Sequence, residues 1–87
     1  MEQDTKKLVA YVYASKLRRK ILTFLSKKSP ARPMEITRGI DYYQSHVSNT
    51  LKELERRGVI ECLTPEKSSW RVYNITETGK KVVNELK

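Results

Sequence analysis

The chain has few of the residues from which covalent, metal and catalytic sites are built. Its 87 residues include one cysteine, Cys62, and one histidine, His46. A lone cysteine closes no disulfide within the chain, and a lone histidine leaves no second imidazole for a metal site. No Ser, His and Asp set and no glycine-rich phosphate loop is recognisable. We therefore expect a protein that is not an enzyme and has no cofactor and no metal.

Long hydrophobic segments are also missing. The longest apolar run spans only a few residues, far from the ~20 that a transmembrane helix needs. The chain does not open with a charged, then apolar, then small-residue leader. We expect a cytoplasmic protein with no membrane partner. Its length allows a single domain over residues 1–87, and dimerisation would help to stabilise so small a core.

Acidic residues are scarce in the part of the chain where basic residues are abundant. The formal net charge is +8; residues 5–58 contain thirteen Lys or Arg against four Asp or Glu, and residues 59–87 contain five against four. A basic surface of this kind suits phosphate neutralisation with release of counterions. RNA, anionic lipid or simple solubility would also fit. The charge thus favours a nucleic-acid partner without choosing its type.

Hydrophobic spacing predicts five helices, which cover about residues 5–14, 16–28, 33–38, 44–57 and 77–86. Ser15 can cap the second helix, although one helix continuous through Ser15 is an open alternative. Gly39 is expected at the end of the third helix, and Gly58 should close the fourth in the left-handed conformation. Thr76 can cap the last helix.

Two β-rich runs, 59–63 and 70–75, flank the polar segment 64–69 and predict an antiparallel hairpin. The element order is therefore α-α-α-α-β-β-α, and the fold class is mainly α with a small β-hairpin. A short helix, a tight turn and a longer helix before a hairpin form a winged helix-turn-helix, which presents its longer helix to the DNA major groove. The wing would be residues 64–70.

The fourth helix is expected to have a polar face opposite its apolar stripe. Val47, Leu51 and Leu54 recur at intervals of four and three, which predicts the buried side. Hydrogen-bonding side chains that can contact base edges cluster near its N-terminal half: Gln44, Ser45, His46, Ser48 and Asn49. An ordinary solvated helix face is the alternative.

Cations and hydroxyl groups around this face suit the DNA backbone. Lys52 and Arg56 on the fourth helix can reach guanine or phosphate, and the Tyr43 phenol can reach phosphate. Arg18 and Arg19 at the start of the second helix could also reach a phosphate, with a solvated face as the alternative. The hairpin supplies four further candidates for phosphates or the minor groove: Lys67, Ser68, Ser69 and Arg71.

Four segments resemble the winged helix-turn-helix transcription regulators of the ArsR and MarR type, especially small versions common in archaea. They are SKLRRKILTFL, YYQSHVSNTLKELERRGVI, RVYNIT and TETGKKVV. The second segment is similar to the family pattern S-x-S-x-V-S-x-x-L-x-x-L-E-x-x-G-L-I and is the most specific. The resemblance covers about residues 15–81. It implies that the five polar residues on the fourth helix approach bases.

The same resemblance implies a homodimer built from the terminal helices 5–14 and 77–86, with one recognition helix for each half-site. The apolar residues expected at the dimer interface are Leu8, Val9, Val12, Val82, Val83 and Leu86. The chain departs from ArsR metal sensors because its helix PMEITR has no cysteine or histidine. Tyr43 stands where the family commonly has a capping serine, so Asp41 could cap the recognition helix instead.

These observations predict a sequence-specific transcription regulator that binds double-stranded DNA as a homodimer. Helix 44–57 would enter the major groove, and the wing would lie on the backbone or in the minor groove. The alternative is a winged-helix module that makes protein-protein or RNA contacts within a larger assembly, because a fold does not fix a function.

Overall fold

The helices and strands follow one another in the predicted order. The computed structural model describes residues 2–66 and 71–86, with side chains from residue 5. Within this part of the chain the elements are α1 (Glu2–Tyr13), α2 (Lys16–Lys27), α3 (Pro33–Ile40), α4 (Gln44–Arg56), β1 (Ile60–Cys62), β2 (Tyr73–Ile75) and α5 (Glu77–Leu86). The mainly α winged helix-turn-helix prediction is confirmed, with α3 and α4 as its helix-turn-helix.

Ser15 separates α1 from α2. Its backbone is extended, at φ −129° and ψ 124°, and its Oγ accepts a hydrogen bond from the backbone N–H of Arg18 at 3.3 Å. This bond satisfies one of the amide groups that a helix start leaves without a partner. The predicted cap is confirmed, and the alternative of one continuous helix is wrong.

The core is built around α2, which packs against the other four helices and against β2. Ile21, Leu22 and Leu25 of α2 are fully buried, and burial of such a side chain contributes about 1.5–3 kcal/mol before entropy is counted. Val47, Leu51 and Leu54 form the buried stripe of α4, as their spacing predicted; the rest of the core is Val12, Leu17, Ala31, Ile36, Val59, Ile60, Tyr73, Ile75, Val82 and Val83.

The sheet contains a contact that hydrophobic spacing did not predict. β1 and β2 pair antiparallel, with Ile60 opposite Ile75 and Cys62 opposite Tyr73. Ala31, between α2 and α3, forms a further antiparallel bridge to Tyr73, with N–H to oxygen distances of 2.9 and 2.8 Å. This bridge ties the segment before α3 to the hairpin. Residues 67–70, including most of the predicted wing tip, lie outside the described residues.

The end of α3 differs from the prediction. The helix continues to Ile40, and Asp41 takes the left-handed conformation at φ 55°. Gly39 therefore lies inside the helix, where a β-carbon would overlap the Phe24 ring. Asp41 does not cap α4, because the N-cap of α4 is Tyr43 and makes no side-chain capping hydrogen bond. Gly58, at φ 78°, takes the left-handed conformation that was predicted for it.

Thr76 joins the end of α4 to the start of α5. Its Oγ1 donates a hydrogen bond to the carbonyl oxygen of Gly58 at 2.7 Å and accepts one from the N–H of Gly79 at 3.1 Å. Gly79 is buried, and a β-carbon there would collide with the backbone carbonyl of Val59. The glycine of TETG is thus required by close packing of two backbone segments.

We expect Gly79→Ala to lower the free energy of unfolding by about 1–3 kcal/mol, because the Val59 carbonyl is backbone and has little room to move. This loss opposes the gain in helix propensity of about 1 kcal/mol that alanine brings. Urea denaturation followed by circular dichroism measures the difference. Lys81→Ala, at an exposed position of α5, is the control and should change stability by less than about 0.5 kcal/mol. Equal stability of both variants would contradict the packing argument.

Candidate nucleic-acid interface

The outer face of α4 carries the polar residues that the sequence suggested for base contact. Val47, Thr50, Leu51 and Leu54 turn toward the core, so the opposite face of the helix points outward. Four of the five predicted residues are exposed and one, Ser48, is half-buried; the exposed ones are Gln44, Ser45, His46 and Asn49. The fold thus brings all five onto the N-terminal half of one helix.

Aromatic rings surround the start of α4. Tyr43 is 76% exposed, and the His46 ring centroid lies 5.8 Å from that of Tyr43 and 6.4 Å from that of Tyr42. No side chain caps the helix, and its first turn contains no acidic residue. Backbone N–H groups at such a helix start can hydrogen-bond an anion, which the helix dipole also favours. The start of α4 is therefore compatible with a phosphate group beside the Tyr43 hydroxyl.

A cationic groove of about 450 Å³ lies beside the C-terminal half of α4 and is lined by Lys52, Glu55, Arg56 and Arg71. Arg71, which precedes β2, donates a hydrogen bond to the Tyr73 hydroxyl at 3.3 Å, and its Nη1 lies 3.8 Å from Glu55 Oε1. The hydrogen bond and the electrostatic interaction with Tyr73 raise the pKa of Arg71 above its ordinary value. Three cationic side chains therefore lie on one surface, and the contacts with Tyr73 and Glu55 orient the guanidinium group of Arg71.

Glu55 is the residue of this surface that the sequence reasoning missed. It lies on α4 one position before Arg56, and its partner Arg71 is sixteen positions later. Helical spacing relates residues three or four apart and gives no information on such a pair. Because Glu55 and Arg71 are both about one third exposed, water weakens their attraction, and the pair orients Arg71 more than it stabilises the fold.

Arg18 and Arg19 have partners within the chain, which the sequence reasoning also missed. Arg18 donates to the carbonyl oxygen of Tyr11 at 2.8 Å, and Arg19 donates to that of Tyr13 at 3.1 Å. These carbonyls belong to the last turn of α1, where cations are favoured. The expectation that both arginines contact the DNA backbone stays a prediction, since both remain partly exposed beside these contacts. Their guanidinium groups close the end of α1.

The Tyr11 ring also reaches the end of α4. The guanidinium carbon of Arg18 lies 3.8 Å from the ring centroid, and that of Arg57, the C-cap of α4, lies 4.1 Å from it. Each contact of a guanidinium with an aromatic face contributes about 0.5–1 kcal/mol. We name Tyr11, Arg18 and Arg57 the Tyr11 cluster. It connects α1, α2 and the C-terminal end of α4.

The residues predicted for a dimer interface divide into two groups. Val12, Val82 and Val83 are buried in the core of the protomer, where α1 packs against α5. Leu8, Val9 and Leu86 are half-buried at the edge of that core. The first group contributes to the core of the protomer, and its predicted contact with a second copy stays a prediction. The second group retains accessible surface.

Neither a metal cluster nor a membrane helix is found in the described part of the chain. Among residues 5–66 and 71–86, no three His, Cys, Asp or Glu side chains come together as metal ligands. No helix in the same residues combines the length and apolar character needed to cross a bilayer. Cys62 is half-buried, and its Sγ lies 3.9 Å from Thr64 Oγ1.

Comparison with known proteins supports the fold. A family model described as EarA-like matches residues 8–86. The structure of S. aureus MepR in complex with DNA superposes with a TM-score of 0.76, 19% identity and coverage of 99% of this chain and 72% of that chain. A MarR family transcription regulator gives 0.75 and 23%, covering 92% of this chain and 54% of that one. No curated protein matches the sequence significantly.

A mutant form of S. aureus MepR is also similar, with a TM-score of 0.73, 19% identity and coverage of 98% of this chain and 64% of that chain. This chain therefore spans between about half and three quarters of the solved structures that it matches. At identities this low, the similarity establishes the winged-helix fold of the MarR type, as the sequence resemblance implied.

We expect Tyr11→Leu to lower the free energy of unfolding by about 1–2 kcal/mol, because both guanidinium contacts with the ring are lost. Tyr11→Phe keeps an aromatic face and should stay within about 0.5 kcal/mol of the parent protein. Chemical denaturation of the two variants side by side gives the comparison. If phenylalanine is as damaging as leucine, the stabilisation does not come from the ring face.

Proposed function

The chain belongs to the EarA-like family, and we propose that it is a transcription regulator that binds specific sequences of double-stranded DNA. The observation that carries this proposal is the outer face of α4, where exposed hydrogen-bonding side chains occupy the N-terminal half and cations follow. A MarR-type structure with which the chain shares its fold was solved in complex with DNA, which supports the same function here.

In the proposed complex, the N-terminal half of α4 lies in the major groove. The groove is about 12 Å wide and accepts one helix. Gln44 and Asn49 carry amides that can bond the N6 and N7 edge of adenine in a bidentate manner, whereas Ser45, His46 and Ser48 can each bond several edges. The preference for particular DNA sequences would come from these five residues, and Asn49 lies near the middle of the outward face of α4.

The proposed contacts to the DNA backbone surround that helix. Tyr43 stands at the start of α4, and Lys52, Arg56 and Arg71 line the cationic groove near its other end. Lys67, Ser68 and Ser69 of the wing would add contacts to phosphates or the minor groove, although they lie outside the described residues. Each neutralised phosphate releases counterions, so affinity should fall steeply as salt rises.

We further propose that two copies bind an inverted repeat. The dimer would use the accessible apolar residues Leu8, Val9 and Leu86 of the terminal helices. The two recognition helices would then reach half-sites one helical turn, ~34–36 Å, or a multiple of it apart. We propose a cytoplasmic protein without a catalytic role, whose partners in this function are DNA and its second copy.

We expect Asn49→Ala to reduce affinity for the specific site by about 5- to 150-fold, because one good bidentate base contact is worth about 1–3 kcal/mol of discrimination. Fluorescence anisotropy on the duplex upstream of the protein's own gene, with a random duplex as reference, provides the measurement. Asn84→Ala, at an exposed position of α5, is the matched control and should bind like the parent protein.

A site-specific regulator should bind its site at least ~10³-fold more tightly than random DNA at physiological salt. Equal binding to both duplexes would indicate a nonspecific DNA-binding protein or a regulator of another gene. If neither duplex binds, the proposal fails, and an interaction module of a larger assembly becomes the better description.

We expect Arg56→Gln to weaken binding to specific and random DNA by the same factor. Arg56 lies beyond the N-terminal half of α4, beside Lys52 and Arg71, where a phosphate contact is proposed. Loss of one phosphate contact should reduce the slope of log affinity against log salt by about 1. A salt series on both duplexes tests this. A selective loss on the specific site would instead identify Arg56 as a base-reading residue.

A further inference from the structure

A second basic groove lies on a different part of the molecule, between α2 and the C-terminal end of α3. Its volume is about 580 Å³. Four cations and two apolar side chains form its main lining: Lys16, Arg19, Lys20, Lys27, Phe24 and Ile40. Among the described residues, none of α4 and none of the hairpin lines it, whereas the cationic groove beside α4 is lined by residues of α4 and by Arg71. The two basic surfaces therefore consist of separate residues.

The cations of this α2–α3 groove form one stripe along the whole of α2. Their positions, three, four, seven and eleven residues apart, place them on one side of the helix. Eleven residues of helix correspond to about 16 Å, the length of a short peptide segment. Neither of the two ion pairs found in the described residues includes a lysine of the groove. The stripe is therefore available to an external anionic partner.

Local helix electrostatics do not explain the lysines at the start of this stripe. The first turn of α2 contains no acidic residue, and cations at a helix N-terminus oppose the helix dipole. Arg19 has a partner in the Tyr13 carbonyl, but Lys16 and Lys20 have no acceptor of that kind within the described residues. These lysines lower the stability of α2 slightly, which is understandable if an external acidic group binds them.

The floor of the groove is apolar. Phe24 and Ile40 are half-buried there, and Gly39 leaves room for the Phe24 ring because it has no β-carbon. Tyr13, which is 62% exposed, contacts one of the lining residues, with the guanidinium carbon of Arg19 4.9 Å from its ring centroid. A DNA phosphate backbone has no large apolar group to cover this floor, but a peptide has.

We propose that the α2–α3 groove docks an acidic segment of another protein, with carboxylates against the lysine stripe and one or two large apolar side chains against Phe24 and Ile40. Charge complementarity selects the acidic character of the segment, and the apolar floor selects peptide over nucleic acid. Since the groove shares no residue with α4 or with the cationic groove beside it, a partner could bind while α4 contacts DNA. This inference does not depend on the proposed function.

The test is an NMR titration of the ¹⁵N-labelled protein with a synthetic peptide of glutamates that carries one leucine and one phenylalanine. We expect amide shifts to concentrate at Thr23, Lys27, Gly39 and Ile40. The variant Lys20→Glu with Lys27→Glu should weaken binding by about ten-fold or more, because two attractions become repulsions. The matched control, Lys6→Glu with Lys7→Glu, changes the same charge on exposed residues of α1 and should weaken binding by less than about three-fold.

Three results would overturn the proposal. The first is the absence of groove shifts at millimolar peptide with the parent protein, which needs no variant to fold. The second is equal binding of a peptide that contains only glutamate, because the apolar floor would then contribute nothing. The third is a titration with a random DNA duplex that shifts the same groove amides, which would assign this surface to nucleic acid. Failure of DNA binding in anisotropy would leave the NMR result unaffected.

Discussion

Burial of the apolar face of α2 is the interaction on which the rest of this protein depends. Ile21, Leu22 and Leu25 are fully enclosed, and the helix that carries them packs against every other helix and against β2. In a chain of 87 residues there is no second core to compensate for its loss. The other sides of α2 are not part of the core and carry polar side chains. Its first arginines close α1, and its lysine stripe lines a groove on the surface.

Helix α4 is likewise packed on one side and exposed on the other. Its inner stripe is held by the core, its C-terminal end by the Tyr11 cluster, and the turn that follows it by Thr76. Its outer face is consequently supported from behind along its length, while its side chains stay exposed. A helix that contacts base edges needs both the packing and the exposed side chains, because those side chains are positioned accurately only when the helix itself is firmly packed. The proposed function thus rests on a rigid helix with an adaptable surface.

Local patterns were sufficient to predict most of the fold. The sequence predicted the caps and helix ends at Ser15, Gly58 and Thr76. Each of these roles depends on residues a few positions away or on the residue's own backbone conformation. The buried stripe of α4 followed from spacing alone. Gly39 lies in the last turn of α3, as expected, but its packing under the Phe24 ring could not be predicted, because that contact depends on how α2 and α3 pack.

Contacts between distant residues could not be predicted in this way. The Ala31 bridge to Tyr73, the Arg18 contact with Tyr11 and the Arg71 pair with Glu55 each depend on how whole elements pack. Two of these contacts bear on the candidate site, because Arg18 donates to the end of α1 and Arg71 is oriented by Glu55. The partners of a basic residue within the chain thus show how its side chain is directed, which its position in the sequence does not.

The Thr76 hydroxyl also sets the direction of the hydrogen bonds that connect the turn after α4 to the start of α5. A hydroxyl has a single hydrogen, and here that hydrogen is directed at the Gly58 carbonyl, so the N–H of Gly79 must meet an oxygen lone pair. The two hydrogen bonds therefore run in one direction, from the Gly79 N–H to the Thr76 hydroxyl and from that hydroxyl to the Gly58 carbonyl, and they cannot form in the reverse order. Movement of α5 away from the turn after α4 would break the bond to Gly58, whereas the bond between Thr76 and Gly79 lies within the start of α5. The turn after α4 and the first turn of α5 are consequently linked through one side chain, by two hydrogen bonds of defined direction.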